Sequence, residues 1–364
     1  MPAPAEIRPF THADIPAVGR LLRAHVSGWT LDDDLLAKLI LDDPWADSDL
    51  PSLVAVGEDG RIIGFTGVQV RRLRFDGEPI RAVHSGHGVV EPDKRGGAGG
   101  ALLIGRVLSG PQAFTWSDGT IDAVAAIFRT FGGQIDHVRS CDWVLGQRPA
   151  RWALSVARGA AFGSRSADFS RRSLVPVGGF PYQSLGRRVF RSAFPGPFPG
   201  VTGEDADAAM IVEELPGLNK DKRLWVDYDA SHLEHMFSLV RSFGGLESFK
   251  GTLHCRLVRR NGKAVGWYAY LVRPGGASRV LHLTARERDA DVVLDELVAH
   301  AREHGSAALA GRAEPHLQRA LTNRLAVLGY ARQPTLHTKD PALAAVLATQ
   351  AAVVTRIDGD IFSV

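Results

Sequence analysis

The segment Val89-Val90-Glu91-Pro92-Asp93-Lys94-Arg95-Gly96-Gly97-Ala98-Gly99-Gly100-Ala101-Leu102-Leu103 restricts the possible folds of this chain more than any other. Its apolar, β-branched start reads as a strand, Pro92 stops it, and Ala101-Leu102-Leu103 opens a helix beyond a glycine loop. A strand that feeds such a loop aims several backbone N–H groups at one point, backed by the positive end of the helix dipole. That point suits a pyrophosphate, which glycine lets the backbone approach closely. A dinucleotide-binding loop would follow an early strand of a parallel sheet and show GxGxxG, and a P-loop would end in Gly-Lys-Ser/Thr. Neither is present. What precedes the loop is a hairpin-rich antiparallel run, with strands at 52–56, 61–74 and 80–90 joined through Glu58-Asp59-Gly60 and Phe75-Asp76-Gly77.

Around this segment the first half alternates strands and helices with short connections, an α/β pattern (α+β layered). A strand is expected at 6–10. Thr11 then caps a helix carrying Ile15, Val18, Leu21, Leu22 and Val26 at helical spacing, and a second helix over 30–43 is stopped by Pro44. After the loop come a helix at 99–108, a strand at 114–117, a helix at 120–131 and a closing strand at 134–144. From 163 to 203 Gly, Pro, Ser, Arg and Phe accumulate and periodicity disappears, as expected of an interdomain connection. Its Arg165, Arg171, Arg172, Arg187, Arg188 and Arg191, with Phe169, Tyr182, Phe190 and Phe194, would also suit an RNA-contacting arm, but a linker packed on both domains is the simpler reading.

The second half repeats the first in outline. Gly60-Arg61-Ile62-Ile63-Gly64-Phe65 returns as Gly262-Lys263-Ala264-Val265-Gly266-Trp267, Trp29 as Trp225, and Phe131-Gly132-Gly133 as Leu328-Gly329-Tyr330. The offsets of 202, 196 and 197 residues are those of a duplicated domain with small loop changes. The expected division is 1–150, 151–203 for the connection, and 204–364. A length of 364 residues accommodates two such units. The N-terminus lacks a basic patch followed by an apolar run, and the longest apolar stretch is interrupted by Thr349 and Gln350, so neither export nor a membrane span is expected. Cys141 and Cys255 lie far apart without Cys/His ligand spacing, so a cytoplasmic setting with no disulfide and no metal is expected. The formal charge of +3 is mild, and a polyanionic ligand accounts for it as well as nucleic acid would.

At the loop the chain resembles the GNAT acyltransferase superfamily, whose signature is a strand ending in hydrophobic-x-Pro, two residues, then Arg/Gln-x-x-Gly-x-Gly/Ala opening a helix. Val90-Glu91-Pro92 and Arg95-Gly96-Gly97-Ala98-Gly99-Gly100 fit that register, with Ala98 in place of the first signature glycine. A register shifted to Lys94, Gly97 and Gly99 restores both glycines but loses the arginine. The opening Ile7-to-Asp14 pattern, the Gly64 hairpin and the Ala125-to-Gly133 helix end extend the resemblance over the first ~145 residues. It implies two tandem GNAT-like folds, each a mixed, mostly antiparallel sheet with flanking helices, the first holding acyl-CoA at Arg95 to Gly100. Val89 and Val90 would then pair with the pantetheine arm as an added strand does, and an N–H near Val90 would hold the developing oxyanion.

Transfer to an amine also needs a base on the strand before the loop, for which His84, His87 and Glu91 are the candidates. Alternation sets His84 and His87 on opposite faces unless Gly86 or Gly88 marks a bulge. Where many GNAT enzymes carry a thiolate-protonating Tyr, this sequence has Phe128, leaving water, a substrate proton, or polar help from Ser117 and Asp118. The matching loop of the second half, Leu283 to Asp291, has no glycine and several carboxylates, so that copy is expected to be degenerate and to shape the substrate pocket or a homodimer. Asp358-Gly359-Asp360 is expected to be a solvated tail. The resemblance thus implies an N-acyltransferase using acetyl-CoA or another acyl-CoA on a small-molecule or peptide amine. The alternatives are a non-catalytic CoA-sensing or nucleic-acid-binding protein, or a Fem-type aminoacyl transferase, which would lack a good phosphate loop.

Overall fold

The computed structural model describes residues 6–94, 98–147, 198–246, 249–286, 288–324, 326–359 and 361. The arginine-rich connection from 163 to 197 and the loop residues Arg95, Gly96 and Gly97 lie outside them. The first strands follow the expected pattern closely: β1 (Glu6–Pro9), β2 (Leu53–Val56), β3 (Ile62–Phe75) and β4 (Glu78–Val90) form an antiparallel run. Helices α1 (Ile15–His25) and α2 (Asp33–Ile40) cover one face and α3 (Ala98–Leu108) the other. Thr11 caps the helical start reciprocally with Asp14, and Asp32 caps α2 by accepting from the Leu35 N–H at 2.8 Å. On the α3 face Leu103 and Val107 pack with Val68, Val70 and Val83. On the other, Val18, Leu22, Leu36 and Leu39 pack with Val54 and Phe65.

β5 (Phe114–Ser117) then joins β4 in parallel, with Ala82, Val83 and His84 opposite Phe114, Thr115 and Trp116. α4 (Asp122–Thr130) follows. The single closing strand expected at 134–144 is instead two strands in different sheets. β6 (Gln134–Ile135) stays with the first, whereas β7 (Cys141–Gly146) enters the second, the two separated by a turn in which the Ser140 N–H and hydroxyl both donate to the Asp136 carbonyl.

The second sheet repeats the order of the first. It runs β8 (Val201–Asp205), β10 (Thr252–Arg260), β11 (Lys263–Val272), β12 (Ala277–Ala285), β13 (Ala308–Arg312), β7, β14 (Val327–Tyr330). The first runs β1, β2, β3, β4, β5, β15 (Thr335–Thr338), β6. Position by position, the sole parallel pair β4·β5 of the main path matches β12·β13, and the Gly60 and Gly262 hairpins open β3 and β11 alike. The sixth strands are exchanged: β7 from the first half fills the slot in the second sheet that β15 from the second half fills in the first. Two short strands, β9 (Leu224–Val226) and β16 (Ala352–Val353), extend the first sheet alongside β3. Trp225 sits in β9, so its likeness to Trp29, which precedes α2 outside any strand, is one of sequence only.

Helix Ala290–Glu303 packs Val293, Leu294, Leu297 and Val298 on one face of the second sheet. The opposite face contributes Trp267, Ala269 and Leu271 to a core that also holds Val18, Leu36 and Phe65 of the first half, with helices Ala208–Leu218 and Ala230–Ser242 between. The two sheets therefore share one hydrophobic interior. Among the described residues no helix is long and apolar enough to cross a membrane.

Candidate active site

β4 carries the candidate base residues and ends where the glycine loop begins. Its pairing with β3 slips between Phe65 and Gly67, so that Phe65 faces Val89 while Gly67 faces Gly86. The extra residue makes a bulge, and His87 sits in it with φ at 56°, a left-handed conformation that few non-glycine residues adopt. The bulge resolves the question of faces. His84 lies directly across from Gln69, and its Nδ1 is 3.0 Å from Gln69 Oε1. A Cβ on Gly67, two residues earlier on the same face, would lie 3.6 Å from the His87 ring and 3.1 Å from Ile40. Both histidines thus lie on the α2 side of the sheet.

Their surroundings differ. His84 is fully buried, tilted against Trp116, with its Nε2 3.9 Å from Asp118 Oδ2. His87 is half-buried and meets the Trp29 ring edge-on at 5.3 Å. Glu91 is at the surface end of the strand, 3.4 Å from Arg61. The described pairing of β5 with β4 ends at His84 and Trp116, one residue before β5 itself ends at Ser117, while β4 continues alone on that side to Val89 and Val90. α3 starts at Ala98, one residue earlier than expected. Gly99 faces open space, and a Cβ on Gly100 would meet only Val90 Cγ2 at an ordinary 3.6 Å.

The end of β5 carries the two polar residues expected there, held by partners that the sequence pattern does not reveal. Ser117 and Asp118 are buried, and Asp118 pairs with Arg312, which also donates to Glu314 at 2.7 Å; Glu314 in turn accepts from Arg139 at 3.1 Å. Burial works against this cluster. The surrounding carboxylates outweigh it for Arg312, whose guanidinium is held charged, and burial raises the Glu314 carboxyl even though Arg312 and Arg139 oppose the rise. A cavity lined by Trp116, Asp118, Arg139, Arg312 and Val354 lies against it.

The expectation of a solvated tail at Asp358-Gly359 is overturned, while Asp360 lies outside the described residues. Asp358 is buried, accepts from the Tyr228 hydroxyl and, at 2.6 Å, from the Thr355 N–H, while its carbonyl accepts from Arg71 Nε at 2.8 Å. Gly359 packs so closely on Asp118 that a Cβ would collide with the carboxylate. The reason is a capping box: Thr355 and Asp358 close a short 3-10 turn reciprocally, which lets the tail fold inward. Arg71 extends the network to Asp43 at 3.1 Å, and Asp43 accepts from His232 Nδ1 at 3.1 Å beneath the stacked Trp45 ring. Burial pushes His232 down to about 4 despite that hydrogen bond, so the ring is neutral.

In the second sheet the position of the glycine loop is filled from within. Arg260 lies 3.3 Å from Asp289, and Arg324 pairs with Asp291 and donates to its backbone carbonyl at 2.7 Å. The N-terminus of helix Ala290–Glu303 is thus crossed by the chain's own charged side chains.

No family model matches the sequence, and no curated protein matches it. Solved structures do. A GCN5-related N-acetyltransferase from Anabaena variabilis is 10% identical, with 92% of this chain and 73% of that chain covered at a TM-score of 0.59. A GCN5-related N-acetyltransferase from Kribbella flavida is 16% identical, with coverages of 94% and 73% and a TM-score of 0.56. Saccharomyces cerevisiae N-myristoyltransferase with bound myristoyl-CoA is 9% identical, with coverages of 92% and 79% and a TM-score of 0.51. The fold is that of the GNAT acyltransferases. It is present here as two tandem copies whose sheets run in the same strand order.

Proposed function

We propose that the chain is an acyl-CoA-dependent N-acyltransferase in which the first copy, built mostly from residues 1–150, holds the acyl-CoA and the second, built mostly from 204–364, buttresses the acceptor side. The observation that supports this most directly is that β4 runs on past its last pairing with β5, at His84 and Trp116, to Val90, with α3 starting a few residues after β4 ends. In this reading the pyrophosphate lies on Arg95 to Gly100 and the first turn of α3, where N–H groups and the helix dipole favour an anion. The pantetheine arm runs along Val89 and Val90 as an added strand, which brings the thioester carbonyl to the backbone beside the bulge.

His87 is assigned as the base. It is half-buried, whereas His84 is buried and engaged with Gln69, and Glu91 lies beside Arg61. The left-handed backbone holds the His87 ring on the α2 side of the sheet, where Trp29 limits its rotation. It removes the ammonium proton, the free amine attacks the thioester carbon, and collapse of the tetrahedral adduct expels the CoA thiolate. Phe128 is buried and has no proton to give, so the thiolate takes its proton from solvent or from the product ammonium. That same absence supports a second reading, a CoA-binding protein without turnover. Acetyl-CoA incubated with a panel of small amines and peptides, read as free thiol and as acylated product by mass, separates the two. Acetyl-CoA is the first donor to try, with longer acyl-CoA thioesters alongside.

A further inference from the structure

His254 on β10, and His300 and His304 at the end of helix Ala290–Glu303, present ring nitrogens that all lie within 4.8 Å of one another. We propose that these three histidines form a binding site for a divalent transition ion of zinc type, on the second sheet and independent of acyl transfer.

Three observations converge on the cluster. First, its donor set is imidazole only, which suits Zn2+ and neighbouring first-row ions and excludes Ca2+ and Mg2+ as natural occupants. Zn–N bonds of about 2.0–2.1 Å in a tetrahedron place ligand nitrogens about 3.4 Å apart, so modest ring rotations close the site. Second, two of the rings already make the outer contacts that ligand histidines need. His300 Nδ1 is 2.6 Å from the Tyr270 hydroxyl, and His304 Nδ1 is 2.9 Å from the His300 carbonyl. A carbonyl can only accept, so His304 Nδ1 carries the proton and its Nε2 lone pair is left for a metal. His300 adopts the same tautomer if Nδ1 donates to Tyr270. Third, His300 and His304 are four residues apart and therefore on one helix face, at the C-terminal end where the macrodipole favours a cation.

The neighbouring charges permit this. The nearby Arg256 is bonded to Asp205 at 2.8 Å and to Glu296 at 3.1 Å, which offset its charge. Three ligands leave a fourth position for water, and His304 is exposed, so an ion can enter. Bound there, the metal would tie the end of the helix to β10.

The test uses tag-free full-length protein freed of metal by chelator. Titration with Zn2+, and with Co2+ read by visible absorption, should give one ion per chain, tetrahedral-type cobalt bands and a rise in melting temperature. His304→Ala, at an exposed position that leaves the fold alone, should weaken binding beyond the roughly 10- to 100-fold that loss of an outer contact costs, and Tyr270→Phe should fall within that range. His12→Ala, elsewhere on the surface, should change nothing. No zinc uptake by wild type, or unchanged uptake and unchanged cobalt bands in His304→Ala, overturns the proposal and leaves three packed rings.

Discussion

Replacing Gly100 by Glu puts the proposed CoA site to its most direct test. Gly100 is the third residue of α3, so with a rise of about 1.5 Å per residue it lies in the first turn, beside the N–H groups proposed to hold the pyrophosphate. Its Cβ would meet Val90 Cγ2 at 3.6 Å, an ordinary contact, so Gly100→Ala keeps the fold and serves as the control. A carboxylate there stands about 5 Å from a phosphate charge. At an effective dielectric constant near 20 one such pair costs about 3 kcal/mol, or roughly two decades in affinity, and a doubly charged pyrophosphate raises the penalty. Isothermal titration with CoA should give one site per chain in wild type and in Gly100→Ala, and no measurable binding in Gly100→Glu. Charge reversal at Asp289 should leave the affinity where it was. Stoichiometry near two, or Gly100→Glu binding within a few-fold of wild type, refutes the placement.

Three further outcomes are expected. His87→Asn tolerates the left-handed backbone but lacks a base, so turnover should drop by about 10²- to 10⁴-fold with CoA affinity retained; an unchanged pH–rate profile would move the proton transfer elsewhere. Phe128→Tyr places a hydroxyl where Phe128 is 1% exposed, so it should destabilise the fold by about 1–3 kcal/mol in urea melts, whereas a faster enzyme of unchanged stability would show room for the phenol. His232 is depressed to about 4, below its unfolded value, so its contribution is complete above about pH 6.5 and fades as the pH falls toward 4, by up to about 3 kcal/mol. Urea melts at several pH values should lose about one proton's worth of slope in His232→Gln; a slope identical to wild type would mean His232 is charged in the fold.

Local signals made the first half readable. Asp-Gly turns, caps and the proline after Glu91 are short-range chemistry, and β3, β4, β5 and α3 fall within one or two residues of the expected limits. The bulge was readable only as an option, because a glycine beside a histidine does not say which residue will bend. What stayed hidden depends on partners far away in sequence. Asp43, Arg71, Tyr228, His232 and Asp358 meet across as many as 287 residues, between Arg71 and the Asp358 carbonyl, and none of them belongs to a motif. The break between β6 and β7 was hidden for the same reason: the apolar run Trp143-Val144-Leu145 would suit a strand of either sheet, and only its partners β13 and β14 show which sheet it enters.

The exchange of β7 and β15 bears on how the chain comes into being. During synthesis the first sheet cannot be completed when residue 150 leaves the ribosome, because β9, β15 and β16 are made near or after residue 224. Until then β5 presents an unpaired edge, and β7 waits for β13. Such late closure implies slow folding with a long-lived, aggregation-prone nascent form. It also implies that a gene cut within the connection would yield two insoluble halves, which become one soluble protein only when made together.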